Sequence, residues 1–246
     1  MIFSKYSEIY DLLYSDKDSA KEAEYLDLLL NNNGLQNANL LEFGSGTGRH
    51  AKELIKYGHS IYGIELSAEM VARAELTTNF RCEVGDVLEA DLGQTFDGVI
   101  SMFHVASYQC SDEAIRKFFR SAARHLEQGG KFIFDYWFTP AVYYNCPEVR
   151  CKTVCSEKFM VWRIAEPKIF HNQNLVNVNY TIFVQDLYSG MIEKFEETHP
   201  MRHFSIPELE MISQIEGFRL KDSYEYLTLE TPSSSSWGVI SVFEKE

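Results

Sequence analysis

Short apolar runs alternate with amphipathic segments over the first half of the chain, and this alternation predicts its secondary structure. The runs have the length and composition of buried strands, whereas the segments between them repeat apolar residues at helical spacing. We predict helices from Gly48, from Ala68 and over residues 112–126. We predict five strands, at Asn39–Phe43, Ser60–Glu65, Phe80–Val84, Phe96–Phe103 and Lys131–Tyr136. This order is typical of a parallel sheet with helices on both faces.

Helix-stop signals lie at both ends of this region. Apolar residues recur at helical spacing between Tyr6 and Leu30, and Asn31–Gly34 ends the predicted helices there. Gly129–Gly130 predicts a turn between the last helix and the last strand, because glycine is favoured where helices end.

The pattern changes between Trp137 and Phe204 to longer segments in which apolar and polar residues alternate. Such alternation favours antiparallel strands that bury one face. The predicted strands are Lys158–Ala165, Leu175–Gln185 and Met191–Phe204. We therefore expect an antiparallel β meander inserted into the sheet domain.

After the insertion the chain returns to helix and strand. Ser205 and Glu208 form a capping-box arrangement that predicts a helix start, and strands follow at Phe218–Tyr226 and Trp237–Glu244. With the five earlier strands they make seven. The predicted fold class is α/β, a doubly wound, mostly parallel seven-stranded sheet with an antiparallel β insertion. Residues 1–136 and 204–246 form the main domain, and residues 137–203 form the insertion.

Charge and cysteine content narrow the classes of partner. The 36 acidic residues outnumber the 23 basic ones, and the net charge of −13 disfavours a nucleic-acid partner. The cysteine count is odd and we find neither a signal peptide nor a long apolar run, so we expect a cytoplasmic protein outside the membrane. Cys146, Cys151 and Cys155 are spaced too loosely for zinc and lack a nearby histidine, so we expect no metal.

Three glycines lie between the first predicted strand and the helix after it. Gly44, Gly46 and Gly48, with Ser45 among them, let the backbone turn sharply and approach a ligand closely. In an open α/β sheet this turn lies at the carboxyl edge, where ligands bind. A glycine loop alone does not distinguish a ligand site from an ordinary turn. The residues at the neighbouring strand ends are needed to tell the two apart.

Acidic residues follow the next two strands at the same edge. Glu65 lies 21 residues beyond Gly44, where a carboxylate can accept hydrogen bonds from both hydroxyls of a ribose. Asp86 lies another 21 residues on, where it can accept from the amine of adenine. Each also has a simpler interpretation, a solvated strand end for Glu65 and an Asx turn for Asp86. Together with the glycines they indicate an adenosine-binding site.

The spacing of the glycines separates two classes of adenosine-containing ligand. Dinucleotide-binding folds favour G-x-G-x-x-G, whereas this chain has G-x-G-x-G after Glu42, with Arg49 where the third glycine would stand. This loop resembles motif I of the class I S-adenosylmethionine-dependent methyltransferases. The resemblance implies S-adenosyl-L-methionine as the cofactor. Its expected contacts are the loop and the strand ends, namely Glu42, Gly44, Ser45, Gly46, Gly48, Glu65, Leu66, Met70, Asp86, Val87 and Met102.

Within that class the chain is similar to the TDP-amino-sugar N,N-dimethyltransferases. The similarity is carried by Ile9–Tyr14, Gly63–Met70, Met102–Phe103 and the insertion followed by His203–Ser205. It implies that Tyr10 lies over the cofactor and that the insertion helps to form the acceptor site. The chain departs from these relatives at Tyr108, where they have a histidine proposed to handle the substrate proton.

The residues after the fourth strand are the candidates for catalysis. A methyl group on a sulfonium is already electrophilic, so the enzyme mainly aligns the acceptor and takes up its proton. His104 is the better candidate for the base, since imidazole titrates near neutral pH, and Tyr108 is suited to orienting the acceptor. Arg163, Lys168 and Arg202 are candidate phosphate contacts.

The predicted function is S-adenosylmethionine-dependent methyl transfer to the nitrogen or oxygen of a small-molecule acceptor, with a nucleotide-linked sugar as one candidate. Two alternatives stay open, a nicotinamide-dependent oxidoreductase and a noncatalytic cofactor-binding module. A homodimer is also compatible with the sequence.

Overall fold

The computed structural model describes residues 6–246, without the side chains of residues 6–8 and 11. The α-helices in this range are α1 Tyr6–Leu13, α2 Ser19–Asn32, α3 Arg49–Leu54, α4 Ala68–Val71, α5 Asp112–Arg124, α6 Thr139–Tyr144 and α7 Ile206–Ile215. The strands are β1 Asn39–Phe43, β2 Ser60–Glu65, β3 Phe80–Val84, β4 Phe96–Ser101, β5 Leu126–Phe138, β6 Arg150–Cys155, β7 Phe159–Phe170, β8 Leu175–Asp186, β9 Ile192–Phe204, β10 Phe218–Glu225 and β11 Gly238–Lys245.

Seven of these strands form the main sheet. Strands β3, β2, β1, β4 and β5 lie side by side in that order and run parallel, whereas β11 pairs antiparallel with β5, and β10 with β11. The predicted doubly wound, mostly parallel seven-stranded sheet is confirmed. Because the strand order reverses between β1 and β4, the carboxyl ends of β1, β2 and β4 border one crevice, the usual ligand position in such sheets.

Apolar side chains pack on both faces of this sheet. On one face the rings of Phe43, Phe118 and Phe132 are in contact, with centroids 5.1 to 6.1 Å apart. On the other face Leu26 and Leu30 of α2 are fully buried against the strands. Burial on both faces explains why the parallel strands are nearly continuous apolar runs in the sequence.

The insertion is a four-stranded antiparallel sheet, β6–β7–β8–β9, that joins the main sheet. The last two residues of β9 pair in parallel with the end of β5, at Trp137 with His203 and Phe138 with Phe204. The antiparallel insertion is confirmed, but β6 was not predicted and β7 extends beyond the predicted Lys158–Ala165. The division into residues 1–136 with 204–246 and residues 137–203 stays a prediction.

Two predicted boundaries in the main sheet are wrong, and the backbone explains both. Strand β5 already begins at Leu126, so Gly129–Gly130 lies inside it, where Gly129 has φ +81° and the pairing with β4 shifts register. Strand β4 ends at Ser101 rather than Phe103, because Phe103 and His104 are left-handed, with φ values of +65° and +62°. Two consecutive left-handed residues that are not glycine take the chain out of the extended conformation of a strand.

The two faces of the insertion sheet have different surroundings. On its inner face Val161 and Ile182 pack against Ile9 and Leu13 of α1. Neighbouring residues of a strand point to opposite faces, so Trp162 lies on the outer face and is half-exposed.

The capping box of Ser205 and Glu208 is confirmed at the start of α7. Among residues 6–246, no helix has the length and apolar character needed to cross a membrane.

Candidate functional site

The glycine loop between β1 and α3 has the backbone that its sequence predicts. Gly44, Gly46 and Gly48 all have positive φ values, of 72°, 57° and 80°. A Cβ atom on Gly44 would lie 2.5 Å from Val105, and one on Gly48 would lie 2.3 Å from the Phe80 ring. At Gly46 the nearest atom would be the Met70 sulfur at 3.8 Å, an ordinary van der Waals contact, so the backbone is less closely packed there than at Gly44 or Gly48.

Glu65, at the end of β2, is bound to that loop. Its carboxylate accepts hydrogen bonds from the backbone N–H of Gly46, at 2.9 Å, and of Ser67, at 2.8 Å. Burial raises the pKa of Glu65, and these hydrogen bonds partly offset the effect. A carboxylate has about four acceptor positions, so lone pairs remain for ligand hydroxyls.

Glu42, at the end of β1, is a buried carboxylate with unused hydrogen-bonding capacity. Its Oε1 lies 3.6 Å from Nδ1 of His50, and its Oε2 accepts no hydrogen bond from any residue that the structure describes. Buried charged oxygens are normally satisfied by a partner. Together with the glycine loop and Glu65, this oxygen fits a ligand that carries both a cationic group and ribose hydroxyls, as S-adenosylmethionine does.

His50 connects Glu42 to a second buried carboxylate. Its Nε2 lies 3.0 Å from Glu22, which also pairs with Lys17 at 2.9 Å. Burial by itself lowers the pKa of His50, but the hydrogen bonds to Glu22 and Glu42 outweigh it and raise the pKa to about 9. Burial likewise opposes ionisation of Glu22, yet His50 and Lys17 bring its pKa down to about 2. The positive charge of protonated His50 therefore offsets the negative charges of the two carboxylates.

The remaining expected cofactor contacts surround the glycine loop or the next two strand ends. Ser45, Met70, Val87 and Met102 are buried, whereas Leu66 exposes 69% of its surface. Asp86 is exposed, and its Oδ1 accepts a 2.9 Å hydrogen bond from the N–H of Leu88. This is the Asx turn considered above, and it leaves Oδ2 for a ligand. The ligand roles of these residues stay predictions.

Arg49, which replaces the third glycine, fixes the segment between α1 and α2. Its guanidinium donates to the carbonyl oxygens of Tyr14 and Lys17, at 2.8 and 3.2 Å, and to the Ser19 hydroxyl, at 3.1 Å. The Tyr14 ring packs on Tyr10 at 4.9 Å. The N-terminal aromatic residues are thereby attached to the first helix after the glycine loop.

His104 follows β4 and contacts Asp135, which lies near the end of the adjacent strand β5. The backbone N–H of His104 donates to Asp135 Oδ1 at 2.8 Å, and Nδ1 of its ring lies 2.8 Å from Oδ2. Nδ1 and Oδ2 are both buried and form no hydrogen bond with any described residue, so this second contact is a close approach of the carboxylate to the ring. Asp135 is buried, and the His104 side chain is 26% exposed.

Tyr108 belongs to a second chain of polar groups, which it shares with the insertion. Its hydroxyl lies 2.7 Å from Nδ1 of His199, whose Nε2 lies 3.1 Å from Glu197. Burial raises the pKa of Tyr108 well above its ordinary value, so the phenol stays neutral. With Glu197 accepting from Nε2, the tyrosine hydroxyl donates to Nδ1 of His199.

The three cationic residues considered as phosphate contacts do not lie on the same face of the insertion. Arg163 is on the inner face of the insertion and donates a 3.0 Å hydrogen bond to the Tyr14 hydroxyl. The strand register places Lys168 and Arg202 on the outer face. Arg202 binds Asp112 and Glu208, both at 2.7 Å, and lines a polar cavity of about 390 Å³. The three residues therefore do not share one phosphate site, and a phosphate role for each of them stays a prediction.

Asp135, Glu22 and Lys17 are the site residues that sequence reasoning missed. Asp135 lies within an apolar strand and Glu22 within an amphipathic helix, and neither belongs to a spaced motif. An acidic residue inside the predicted strand Lys131–Tyr136 was the one available signal. No cluster of three potential metal ligands occurs among the described residues.

Comparisons with known proteins support the same site. A family model described as a methyltransferase domain matches residues 40–130, which include the glycine loop, Glu65 and Asp86. The dTDP-3-amino-3,4,6-trideoxy-alpha-D-glucopyranose N,N-dimethyltransferase of Streptomyces venezuelae is 27% identical over 219 residues, covering 88% of this chain and 91% of that protein. An uncharacterized methyltransferase of Bacillus cytotoxicus is 34% identical over 140 residues, 54% of this chain and 64% of that protein.

Solved structures share the whole fold. DesVI of Streptomyces venezuelae superposes with a TM-score of 0.80 at 25% identity, covering 98% of both chains. The amino pentose methyltransferase CalS10 of Micromonospora echinaspora, solved with S-adenosylmethionine bound, gives a TM-score of 0.77 at 22% identity, covering 100% of this chain and 98% of that one. The cofactor and the class of reaction expected from the glycine loop are confirmed, and the chain is an S-adenosylmethionine-dependent methyltransferase.

Proposed function

We propose that the protein transfers a methyl group to a small, nucleotide-linked sugar. The observation that carries this proposal is the position of His104 and Tyr108, which follow β4 beside the glycine loop and contact β5 and the insertion. The Streptomyces venezuelae relative, named for a dTDP-amino-sugar, supports the substrate class. The net charge of −13 favours a small acceptor over nucleic acid.

For the cofactor we propose three polar contacts at three strand ends. Glu65 accepts hydrogen bonds from the ribose hydroxyls, Asp86 accepts from the adenine amine, and Glu42 accepts from the methionine ammonium. The free Oε2 of Glu42 and the absence of a tight contact at Gly46 support this placement. S-adenosylmethionine, when bound, supplies a methyl group that its positively charged sulfur makes electrophilic. Tyr10 covers the site from α1.

For the acceptor we propose that residues 137–203 shape the binding site. His104 takes up the acceptor proton, and the neutral Tyr108 hydroxyl, which His199 holds in place, orients the acceptor. Arg163 is the one candidate phosphate contact on the inner face of the insertion. Its planar guanidinium suits a diphosphate.

We also propose that the protein is a cytoplasmic homodimer. All five cysteines are free thiols, which fits a reducing compartment. The outer face of the insertion presents half-exposed apolar side chains from adjacent strands, among them Met160, Trp162, Ile164 and Phe183. A second copy would cover this face. The molar mass in solution, compared between the wild type and Trp162→Glu, tests the dimer.

The methyl acceptor can be identified by screening nucleotide sugars for release of S-adenosylhomocysteine. We expect turnover with at least one dTDP-hexose, and we expect His104→Gln to lose it while still binding S-adenosylhomocysteine. Exposed His171→Gln serves as the matched control. Release of S-adenosylhomocysteine with simple amines or with RNA, but with none of the sugars tested, would reject the proposed substrate class.

A further inference from the structure

The contact between His104 and Asp135 is built into the ends of two paired strands. Strands β4 and β5 run parallel, and their pairing ends at Ser101 with Phe134, one residue before Asp135. One carboxylate oxygen of Asp135 fixes the His104 backbone and the other faces the His104 ring, each at 2.8 Å. A single buried side chain therefore holds the His104 backbone and also lies against one nitrogen of its ring.

The backbone at this point is held in an unfavourable conformation. Phe103 and His104 are consecutive non-glycine residues with left-handed φ values. Such a conformation is unfavourable for residues with a Cβ atom and persists where the surroundings hold it, often at functional sites. The hydrogen bond from the His104 N–H to Asp135 is one such restraint. The strain supports a role for the ring in the site rather than in packing alone.

The orientation determines which ring nitrogen can act as a base. A carboxylate can only accept hydrogen bonds, so Asp135 favours the neutral tautomer that has its proton on Nδ1. The lone pair of Nε2 is then free to accept a proton. When it does, the buried charge of Asp135 stabilises the resulting imidazolium.

Building on the proposed function, we propose that the acceptor atom is a hydroxyl oxygen and that Asp135 is the positioning residue that keeps His104 as its base. The hydroxyl proton moves to His104 Nε2 while the oxygen lone pair forms the new bond to the methyl carbon. The bond between that carbon and sulfur breaks with its electron pair staying on sulfur, which becomes neutral. The proton on His104 later passes to water.

Two features favour oxygen over nitrogen. A neutral amine attacks with a lone pair it already has, whereas a hydroxyl needs its proton removed close to the transition state. The chain moreover has Tyr108 in place of the histidine of the amino-sugar enzymes, and its phenol stays neutral.

The tautomer of His104 can be measured without cofactor or substrate. In nitrogen-15 NMR of the ligand-free protein, we expect neutral His104 to carry its proton on Nδ1, with the signal assigned by its loss in His104→Gln. Asp135→Asn presents an amide N–H to Nδ1 and should move the proton to Nε2. Asp27→Asn is the matched control, because His59 and Asp27 form another close pair, at 2.9 Å, outside the site. A wild-type His104 with its proton on Nε2 overturns the proposal.

The acceptor atom is tested with two matched substrates, dTDP-6-deoxyglucose and its 3-amino-3-deoxy counterpart, each supplied with S-adenosylmethionine. We expect an O-methylated product from the first sugar, and Asp135→Asn should lower its kcat about a hundredfold or more while KM and S-adenosylhomocysteine binding change little. Methylation of the amino sugar alone, or an Asp135→Asn enzyme with full kcat, rejects the oxygen acceptor. Methylation of neither sugar, with S-adenosylhomocysteine bound, rejects the substrate class of the proposed function instead.

Discussion

The backbone N–H of Gly46 donates a 2.9 Å hydrogen bond to Oε2 of Glu65, and this bond joins the glycine loop to the end of the second strand. Glu65 therefore has two tasks, holding the loop and presenting lone pairs to the ribose. A variant at this position is expected to affect cofactor binding more than any change on the insertion.

Replacing Glu65 with alanine should weaken S-adenosylhomocysteine binding by roughly tenfold to a hundredfold, because hydrogen bonds to a charged group contribute about 1.5–3 kcal/mol. Isothermal titration calorimetry measures this directly. Glu83→Gln, which changes an exposed carboxylate on the neighbouring strand, should bind normally. An unchanged affinity in Glu65→Ala would remove Glu65 from the cofactor site.

The protonated His50 should make stability depend on pH. Its pKa is about 9 in the folded protein, against an ordinary value of 6.5, so the folded state binds the extra proton between these values. The stabilisation is complete below pH 6.5 and is lost as the pH rises through 9, with a slope of up to about 1.4 kcal/mol per pH unit. Urea unfolding between pH 6.5 and 9.5 should show this fall in the wild type and a flatter profile in His50→Gln. Equal slopes in the two proteins would contradict the assigned charge.

Alanine at Gly44 should destabilise the fold more than alanine at Gly190. Both glycines have positive φ values, of 72° and 74°, so both substitutions share a backbone cost of about 1–2 kcal/mol. Only at Gly44 does the new Cβ also meet Val105, at 2.5 Å, which adds about 1–3 kcal/mol. Urea unfolding of the two variants measures the difference. Equal losses would mean that Val105 moves aside without cost.

Tyr108→Phe should impair use of the acceptor and spare the cofactor. The variant keeps the buried ring but loses the hydroxyl that His199 orients, a neutral hydrogen bond of about 0.5–1.5 kcal/mol. We expect kcat/KM for the sugar to fall by up to about tenfold, with S-adenosylhomocysteine binding unchanged. Tyr188→Phe, at an exposed turn, is the control. A loss confined to cofactor affinity would place Tyr108 elsewhere in the site.

The sequence was sufficient for the parts of the fold that depend on local patterns. The buried strands around the glycine loop, the loop itself and the Ser205–Glu208 capping box all follow from spacing along the chain. Strand β6 was missed because Arg150–Cys155 is an edge strand with one partner, β7, and mostly polar or exposed residues. Gly129–Gly130 has the composition of a turn, but it lies in a register irregularity of β5 between Leu126 and Lys131, which both pair with β4.

The candidate site was only partly predictable, because its contacts join distant parts of the chain. His104 was named from the sequence, but its partner Asp135 lies 31 residues away and belongs to no motif. His50 and Glu22 are 28 residues apart and meet only because α2 packs on α3. The left-handed backbone at His104 has no sequence signal either, since neither residue there is glycine or asparagine.

The central claim is that the crevice at the glycine loop accommodates an adenosyl sulfonium cofactor rather than a dinucleotide. Calorimetric titration of the same preparation with S-adenosylhomocysteine and with NAD tests it most directly. The account predicts one S-adenosylhomocysteine bound per chain, with affinity lost in Glu65→Ala and with no competition from NAD. Saturable binding of NAD together with no binding of S-adenosylhomocysteine would contradict it.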